Sequence, residues 1–239
     1  MSKNRLTIGV LGAANIAGQF VTAVQPSQAV RISAVASRTV QTAQAFADRF
    51  GIAKAYATYD ALLEDASIEA VYIPLPNHMH APWAIKALQA GKHVLCEKPL
   101  CLSLAQAQAM FSVDISMLAT LEFANGRSAQ VSCAMNVANN RRATIMGTAG
   151  TIETEYLNHT SAAVTSQLRV RRGTANHIAF EDVPAAMGNG FKFAAEAFAD
   201  VVRRQDFAAV ERASLASMDI ARMLEAIAQS ARSGQTVML

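Results

Sequence analysis

Between residues 5 and 111, short apolar runs alternate with stretches of helical periodicity, and no other feature of the chain restricts its fold as much. RLTIGVL (5–11), VRISAVAS (30–37), EAVYIPL (69–75) and HVLCE (93–97) are apolar along nearly their whole length instead of at every second position. Strands of that kind are buried on both faces, as in a parallel sheet. Between them, Ala43, Phe46, Ala47 and Phe50 fall at i, i+3, i+4 and i+7, and so do Ala81, Ala84, Ile85 and Leu88. Each set lays one apolar face on a helix. Gly51 and Gly91 follow those helices, where a left-handed residue ends a helix without steric cost. Strand–helix–strand at this spacing requires right-handed crossovers and a doubly wound α/β sheet.

From residue 112 the pattern changes. MLATLEFANGRSAQVSCAM holds two alternating runs joined by Asn125-Gly126, a two-residue hairpin signal. Leu121 and Phe123 on one strand, with Ala129, Val131 and Cys133 on the other, would form its covered face. ATIMGTAGTIETEYL predicts a further strand pair around Gly147 and Gly150, and SQLRVRR another strand. Two helices close the chain: Ala194, Ala197, Phe198 and Val201 share a face of the first, and Ile220, Met223, Leu224 and Ile227 a face of the second, which Gly234 ends. The expectation is two domains: residues 1–111 as the doubly wound α/β part and residues 112–239 as an α+β part with a mainly antiparallel sheet. A chain of 239 residues accommodates one or two.

Composition excludes several classes. With 52% hydrophobic and 16% charged residues and a mean hydropathy of +0.19, the chain has ample material for a core and is not disordered. No apolar run approaches the ~20 residues a membrane-spanning helix needs, so no membrane partner is expected. Twenty-one Lys and Arg against eighteen Asp and Glu leave a net charge of +3, scattered apart from the doublets in RRATIM, RVRRG and VVRRQ. That is a solvated surface, not a stripe for nucleic acid. Cys96, Cys101 and Cys133 are too few and too irregular for a disulfide framework or a zinc ribbon, which points to thiols in a reducing compartment. MSKNRLTIGVLG enters its first strand without a signal h-region, cleavage site or twin arginine, so a cytoplasmic location is expected.

The candidate chemistry lies at strand ends. Gly12-Ala13-Ala14-Asn15-Ile16-Ala17 stands where the G-x-G-x-x-G/A dinucleotide fingerprint stands, between the first strand and the first helix. Gly12 permits the tight turn and Ala17 lets the helix approach the sheet, whereas Ala14 places a Cβ where the pattern has glycine. An ordinary tight turn would use small residues too. At the end of the second strand an NAD-selective site places an acid. Here Ser37-Arg38 stands instead, a hydroxyl and a guanidinium that suit a 2′-phosphate and so indicate NADP rather than NAD. A surface arginine is the plainer alternative. After the next long strand comes Leu75-Pro76-Asn77-His78-Met79-His80, in which Asn77 is placed to act as an N-cap and His80 to open a helix near the ligand-binding rim. A cap or surface histidine would look the same, and no further ligands accompany His78 and His80, so no metal site is expected. Finally, Lys98 follows Glu97 at the last strand end of this half. Partly desolvated beside a cofactor it is a candidate general acid/base, and Pro99 restricts it to extended backbone. A strand terminus alone explains the same dipeptide.

In the order GAANIA, SR, LPNHMH and AGKHVLCEKPL (90–100), these pieces resemble the Gfo/Idh/MocA family of NAD(P)-dependent oxidoreductases. Within it they are most similar to the branch of NADP-dependent D-xylose and trans-dihydrodiol dehydrogenases, where alanine at the second glycine position is familiar. The resemblance is close over 5–111 and looser beyond 113, where GTAGTIE and SARSGQTVML look like the family's C-terminal sheet and its final helix and strand. It implies a Rossmann domain in which Gly12, Ala14, Asn15 and Ile16 cradle the pyrophosphate of NADP. Ser37 and Arg38 would hold the 2′-phosphate. Leu75, Pro76, Asn77 and His80 would line the ribose and nicotinamide side, with Glu97 nearby and Lys98 as the catalytic lysine. The implied reaction moves a hydride between the nicotinamide and a carbon of a sugar or cyclic polyol. The implied assembly is a homodimer or homotetramer joined through the antiparallel sheet. The family also contains a non-catalytic repressor, so a nucleotide-binding regulator or scaffold is the alternative function. The intact Glu97-Lys98-Pro99 signature argues for chemistry.

The chain departs from the family after SLAQAQAMF (103–111). There SVDISMLATLEF follows at once, text that belongs well inside the family's second domain. A parallel crossover needs a dozen or more residues, and none are available at this junction. A substantial internal segment is therefore expected to be absent, and the resemblance implies that it would include the stretch in which the family holds an Asp or His working beside the lysine. Either two ordered stretches are joined across an omission, or the chain carries a true deletion. The first is favoured, because a deletion would unpair sheet edges and strip half of the substrate site.

Overall fold

The computed structural model describes residues 5–98, 116–134, 141–155, 167–175, 177–184 and 188–238. The Phe111–Ser112 junction, Cys101, Pro99 and the 103–111 stretch lie outside the described residues. Two compact units divide the chain: residues 1–136 with 196–239, and residues 137–195.

The first unit is built on five parallel strands: β1 (Leu6–Leu11), β2 (Val30–Ala36), β3 (Lys54–Tyr56), β4 (Ala70–Ile73) and β5 (His93–Cys96). Helices α1 (Asn15–Val24), α2 (Val40–Phe50), α3 (Tyr59–Glu64) and α4 (Asn77–Gln89) connect them. The spatial order is β3-β2-β1-β4-β5, so the winding reverses between β1 and β4. The crevice above such a reversal is where doubly wound sheets bind ligands. β1 is buried at every residue, with Leu6, Ile8, Val10 and Leu11 all 0% exposed. Gly9 lets α3 settle onto it, since a Cβ there would stand 2.7 Å from the Leu62 side chain. Thr39 and Thr58 accept the Thr42 and Ala61 amides and so cap α2 and α3. Gly51 and Gly91 take the left-handed conformation after α2 and α4, as expected.

Two features of this unit differ from the periodicity reading. β3 and α3, of 3 and 6 residues, are too short to show a repeat in sequence. On α4 the inward face is His80, Ala84 and Ala87, while Ile85 and Leu88 are exposed. A histidine that finds a backbone partner inside outranks two aliphatic residues that find none.

Two further strands of this unit, β6 (Ser116–Glu122) and β7 (Ser128–Ala134), pair antiparallel, with Leu121 opposite Ala129 and Ala119 opposite Val131. Their turn has three residues, not two. The Gly126 amide donates to the Phe123 carbonyl and the Phe123 amide to the Arg127 carbonyl, both at 2.9 Å, with Gly126 at φ 76°. This is the turn-plus-left-handed-glycine form of hairpin. The face expected to be covered is open, since Phe123, Val131 and Cys133 are exposed.

The second unit carries β8 (Arg142–Gly147), β9 (Gly150–Glu155), β10 (Gln167–Arg172) and β11 (Glu181–Val183), antiparallel in the order β11-β10-β9-β8. Gly150, at φ 147°, is required at the β8–β9 turn, because a Cβ would lie 2.0 Å from the Arg171 carbonyl oxygen.

Helices α5 (Gly190–Arg204) and α6 (Phe207–Ser233) follow. Ala195 and Ala199 are the buried residues of α5, whereas Ala194 and Ala197 are exposed, so its inner face is turned from the expected one. The part of α5 from Glu196 onward is tied to the amino edge of the parallel sheet, opposite the crevice. Ser27 donates to Glu196 at 2.6 Å, and Glu69 accepts both Arg203 and the Thr7 amide at 2.8 Å. Asp206 caps α6, a cap the sequence reading does not name, and Gly234 ends the helix as expected. Residues 235–238 form no strand, contrary to the expected final helix and strand.

Candidate functional site

Because β1, β2, β4 and β5 are parallel neighbours, their carboxyl ends open on one rim, and the sequence-selected residues occupy that rim. Gly12 ends β1 at φ 120°, a conformation that disfavours a side chain, and its amide donates to the Ala36 carbonyl at 2.8 Å. A Cβ at this position would come within 3.1 Å of Leu75, which seats Gly12 and Leu75 side by side across the β1/β4 reversal. Ala14 is the N-cap of α1, in extended backbone and exposed, with no side-chain cap bond. Asn15 and Ile16 begin the helix, whose first turn contains no acid. Uncapped amides at a helix start, with no carboxylate to compete, suit a pyrophosphate.

Ser37 follows β2, buried, its amide bonded to the Tyr56 carbonyl at 3.2 Å. Arg38 is exposed beside it, one residue before the Thr39 cap of α2. Its charge reaches Tyr59, where it partly offsets the burial that pushes that phenol up. Tyr59 packs edge-on to Trp83, with ring centroids 4.9 Å apart.

The β4–α4 connection corrects one expectation. Pro76, not Asn77, is the cap residue of α4, and Asn77 is the first helical residue. Proline cannot accept through its side chain, so the turn closes through the backbone, with the Met79 amide on the Pro76 carbonyl at 2.8 Å. His80 lies a turn into α4 and is 1% exposed, with Nε2 2.6 Å from the Leu75 carbonyl oxygen. It buttresses the loop whose Leu75 touches Gly12. His78, by contrast, is exposed.

At the end of β5, Glu97 is half-buried and Lys98 exposed. The Glu97 amide donates to the Ile73 carbonyl at 3.1 Å. Its carboxylate accepts Tyr72 Oη at 2.6 Å and the Lys98 amide at 3.3 Å. Burial first, and then this bond to a carboxylate, push the Tyr72 phenol well above its ordinary range, so it remains a donor at any working pH. Burial and the Glu97 charge push the neighbouring Cys96 thiol up to about 12, which makes it inert as a nucleophile. Sequence reading passed over Tyr72. The available signal was a phenol in the otherwise aliphatic run AVYI, which must find a partner once that strand is buried.

A doubly wound sheet with this rim, followed by antiparallel strands and helices, places the chain in the class of α/β dinucleotide-binding folds with an appended α+β domain. The chain belongs to the Gfo/Idh/MocA oxidoreductase family: residues 6–115 match the model of its NAD-binding Rossmann fold and residues 100–239 that of its C-terminal alpha/beta domain. Among curated relatives, D-xylose 1-dehydrogenase (NADP(+)) 2 of Haloferax volcanii is 45% identical over 106 residues, 44% of this chain and 33% of that protein. Mouse trans-1,2-dihydrobenzene-1,2-diol dehydrogenase is 38% identical over 104 residues, 43% of this chain and 31% of that protein. The match thus spans about a third of the length of these relatives. Among solved structures, KijD10, a 3-ketoreductase from Actinomadura kijaniata in complex with NADP, superposes with a TM-score of 0.68 at 22% identity, over 84% of this chain and 90% of that one. Among the described residues, no helix is long and apolar enough to cross a membrane, and no group of His, Cys, Asp or Glu is arranged to hold a metal ion.

Proposed function

We propose that this chain is an NADP-dependent oxidoreductase that moves a hydride between the nicotinamide and a carbon of a sugar or cyclic polyol. The observation that carries the reading is one shared rim: Gly12, Arg38 and Lys98 stand at the carboxyl ends of neighbouring parallel strands around the β1/β4 reversal. Gly12, Ala14, Asn15 and Ile16 would hold the pyrophosphate, with Ser37 and Arg38 on the 2′-phosphate. Leu75, Pro76 and Asn77 would line the nicotinamide side, His80 bracing them from beneath, and Glu97 beside them. Bound NADP supplies the carbon that gives or takes the hydride. Lys98 takes the hydroxyl proton of the substrate in oxidation and returns it in reduction. The NADP-dependent relative and the NADP-bound neighbour support the choice of cofactor. Homo-oligomers joined through the open strand faces, and a reducing, cytoplasmic setting in keeping with free Cys96 and Cys133, complete the reading.

The test is turnover of an aldose and polyol panel with NADP. Lys98→Ala should abolish it while leaving NADP affinity within about twofold, since the amine bonds the reacting group and not the dinucleotide. Normal turnover by that variant would remove Lys98 from the mechanism. Arg38→Ala should cost NADP about 1.5–3 kcal/mol of binding and NAD little, as for one lost bond to a charged group. Equal losses would contradict the 2′-phosphate assignment. NADP binding with no turnover of any panel member would instead favour a nucleotide-binding regulator.

A further inference from the structure

Tyr72 lies in β4, 2% exposed, and its ring is stacked on Phe20 of α1 with centroids 3.9 Å apart and planes 17° from parallel. An aliphatic side chain could fill that space. Only a hydroxyl-bearing ring also reaches across to the end of β5, where Tyr72 Oη donates to one oxygen of Glu97 at 2.6 Å. The other oxygen of Glu97 accepts the backbone amide of Lys98 at 3.3 Å, and the Glu97 amide is held by the Ile73 carbonyl at 3.1 Å. β4 therefore grips Glu97 by backbone and side chain together. Among the described residues the Lys98 amine enters no ion pair, although a carboxylate stands on the adjacent residue.

We propose that Tyr72 is a positioning residue for the candidate active site: it keeps the Glu97 carboxylate turned onto β4 and off the Lys98 amine, which leaves that amine free for substrate. The proposal rests on the reading of Lys98 given above. The hydroxyl acts only through Glu97 and touches neither cofactor nor substrate. Without it, the carboxylate loses its anchor and is free to pair with the ammonium one residue away. The buried ring meanwhile stacks on Phe20 of α1, so the same side chain that holds Glu97 also packs on that helix.

Tyr72→Phe keeps the stacked ring and removes only the donor. In the apo protein, the Lys98 amide resonance should move in this variant, while the amides of Ile8 and Val10 in β1 stay in place. In turnover, kcat on the sugar the wild type oxidises fastest should fall about tenfold, equivalent to roughly 1.4 kcal/mol, with the NADP dissociation constant within about twofold. In a Glu97→Gln background the same substitution should change kcat by less than about twofold, because residues acting through one another do not add. An unmoved Lys98 amide, or losses that multiply in the double variant, would overturn the assignment. Lys98→Ala assayed alongside separates the two ideas. If that variant turns over, the lysine has another role, and the amide shift in apo protein still decides whether Tyr72 sets the conformation of Glu97.

Discussion

The parallel and antiparallel parts of this chain are both rich in apolar residues, yet they dispose of them differently. Every residue of β1 is enclosed, whereas Leu118 in β6, Met146 in β8 and Phe207 at the start of α6 are 76%, 80% and 78% exposed. The cause is connectivity, not composition. Each parallel pair requires a crossover, and the crossover helix covers the strands it joins, so the faces close within the same stretch of chain. An antiparallel ladder turns back on itself through a few residues and buries a face only against something else. The first arrangement yields a rim with fixed geometry, suited to holding a cofactor. The second leaves apolar strand faces, the usual mark of a surface that meets a partner.

The sharpest way to break this contrast is truncation on each side of it. Ile8→Ala should cost about 2–5 kcal/mol, from lost burial plus the cavity it leaves. Leu118→Ala should stay within about 0.5 kcal/mol, as for a surface change. Urea midpoints measure both. If Leu118→Ala proved as costly as Ile8→Ala, and its effect grew with protein concentration, the hairpin face would be covered in solution by another copy of the chain.

What could be read in advance follows the same divide. Strands β1, β2, β4 and β5 of the parallel sheet, the left-handed glycines after α2 and α4, and the placing of Gly12, Arg38 and Lys98 at strand ends are legible because each is a local pattern. The inner face of α4 is not, since periodicity counts Ile85 and Leu88 as apolar and has no means of knowing that His80 finds the Leu75 carbonyl. Tyr72–Glu97 joins residues 25 apart, and Arg203–Glu69 residues 134 apart. Nothing in either neighbourhood announces the other. Asn125-Gly126 marks a hairpin in sequence, but the count of turn residues depends on which carbonyl Gly126 bonds, a matter of register.

Asp65 sharpens the comparison from the polar side, because the parallel unit also closes its polar edges. One carboxylate oxygen accepts Lys54 Nζ and Tyr56 Oη, each at 2.7 Å; the other accepts the Ser67 amide at 2.9 Å and its hydroxyl at 2.7 Å. These bonds, that from Lys54 foremost, hold the carboxyl well below its usual range. A depressed carboxyl stabilises the folded state above the unfolded value, near pH 4, and that stability drains away as pH falls below it toward the folded value. Asp65→Asn should therefore cost about 1–3 kcal/mol at neutral pH, through donors left without an acceptor. The gap in melting temperature between wild type and variant should narrow steadily below about pH 4. A gap that persisted unchanged at pH 2 would mean that packing, not charge, is what Asp65 contributes.

The smallest expected effect sets two ion pairs against each other. Arg203 bonds Glu69 at 2.8 Å and pins α5 to the amino edge of the parallel sheet, where Glu69 also takes the Thr7 amide. Burial by itself raises the Glu69 carboxyl, but the bonds to Arg203 and Thr7 together outweigh it and hold the group below its ordinary range. Arg142 meets Glu155 at 3.4 Å between adjacent strands of one ladder, with both side chains largely in water. Solvent screens both pairs, but only the first joins distant parts of the chain and leaves a part-buried carboxylate behind when it is cut. Arg203→Ala should cost about 1 kcal/mol and Arg142→Ala less than about 0.5 kcal/mol in urea unfolding, with the Arg203 effect shrinking in 1 M salt. Equal costs would mean that tethering α5 adds nothing to closure of the parallel unit, and the contrast between the two parts of the molecule would then rest on apolar burial alone.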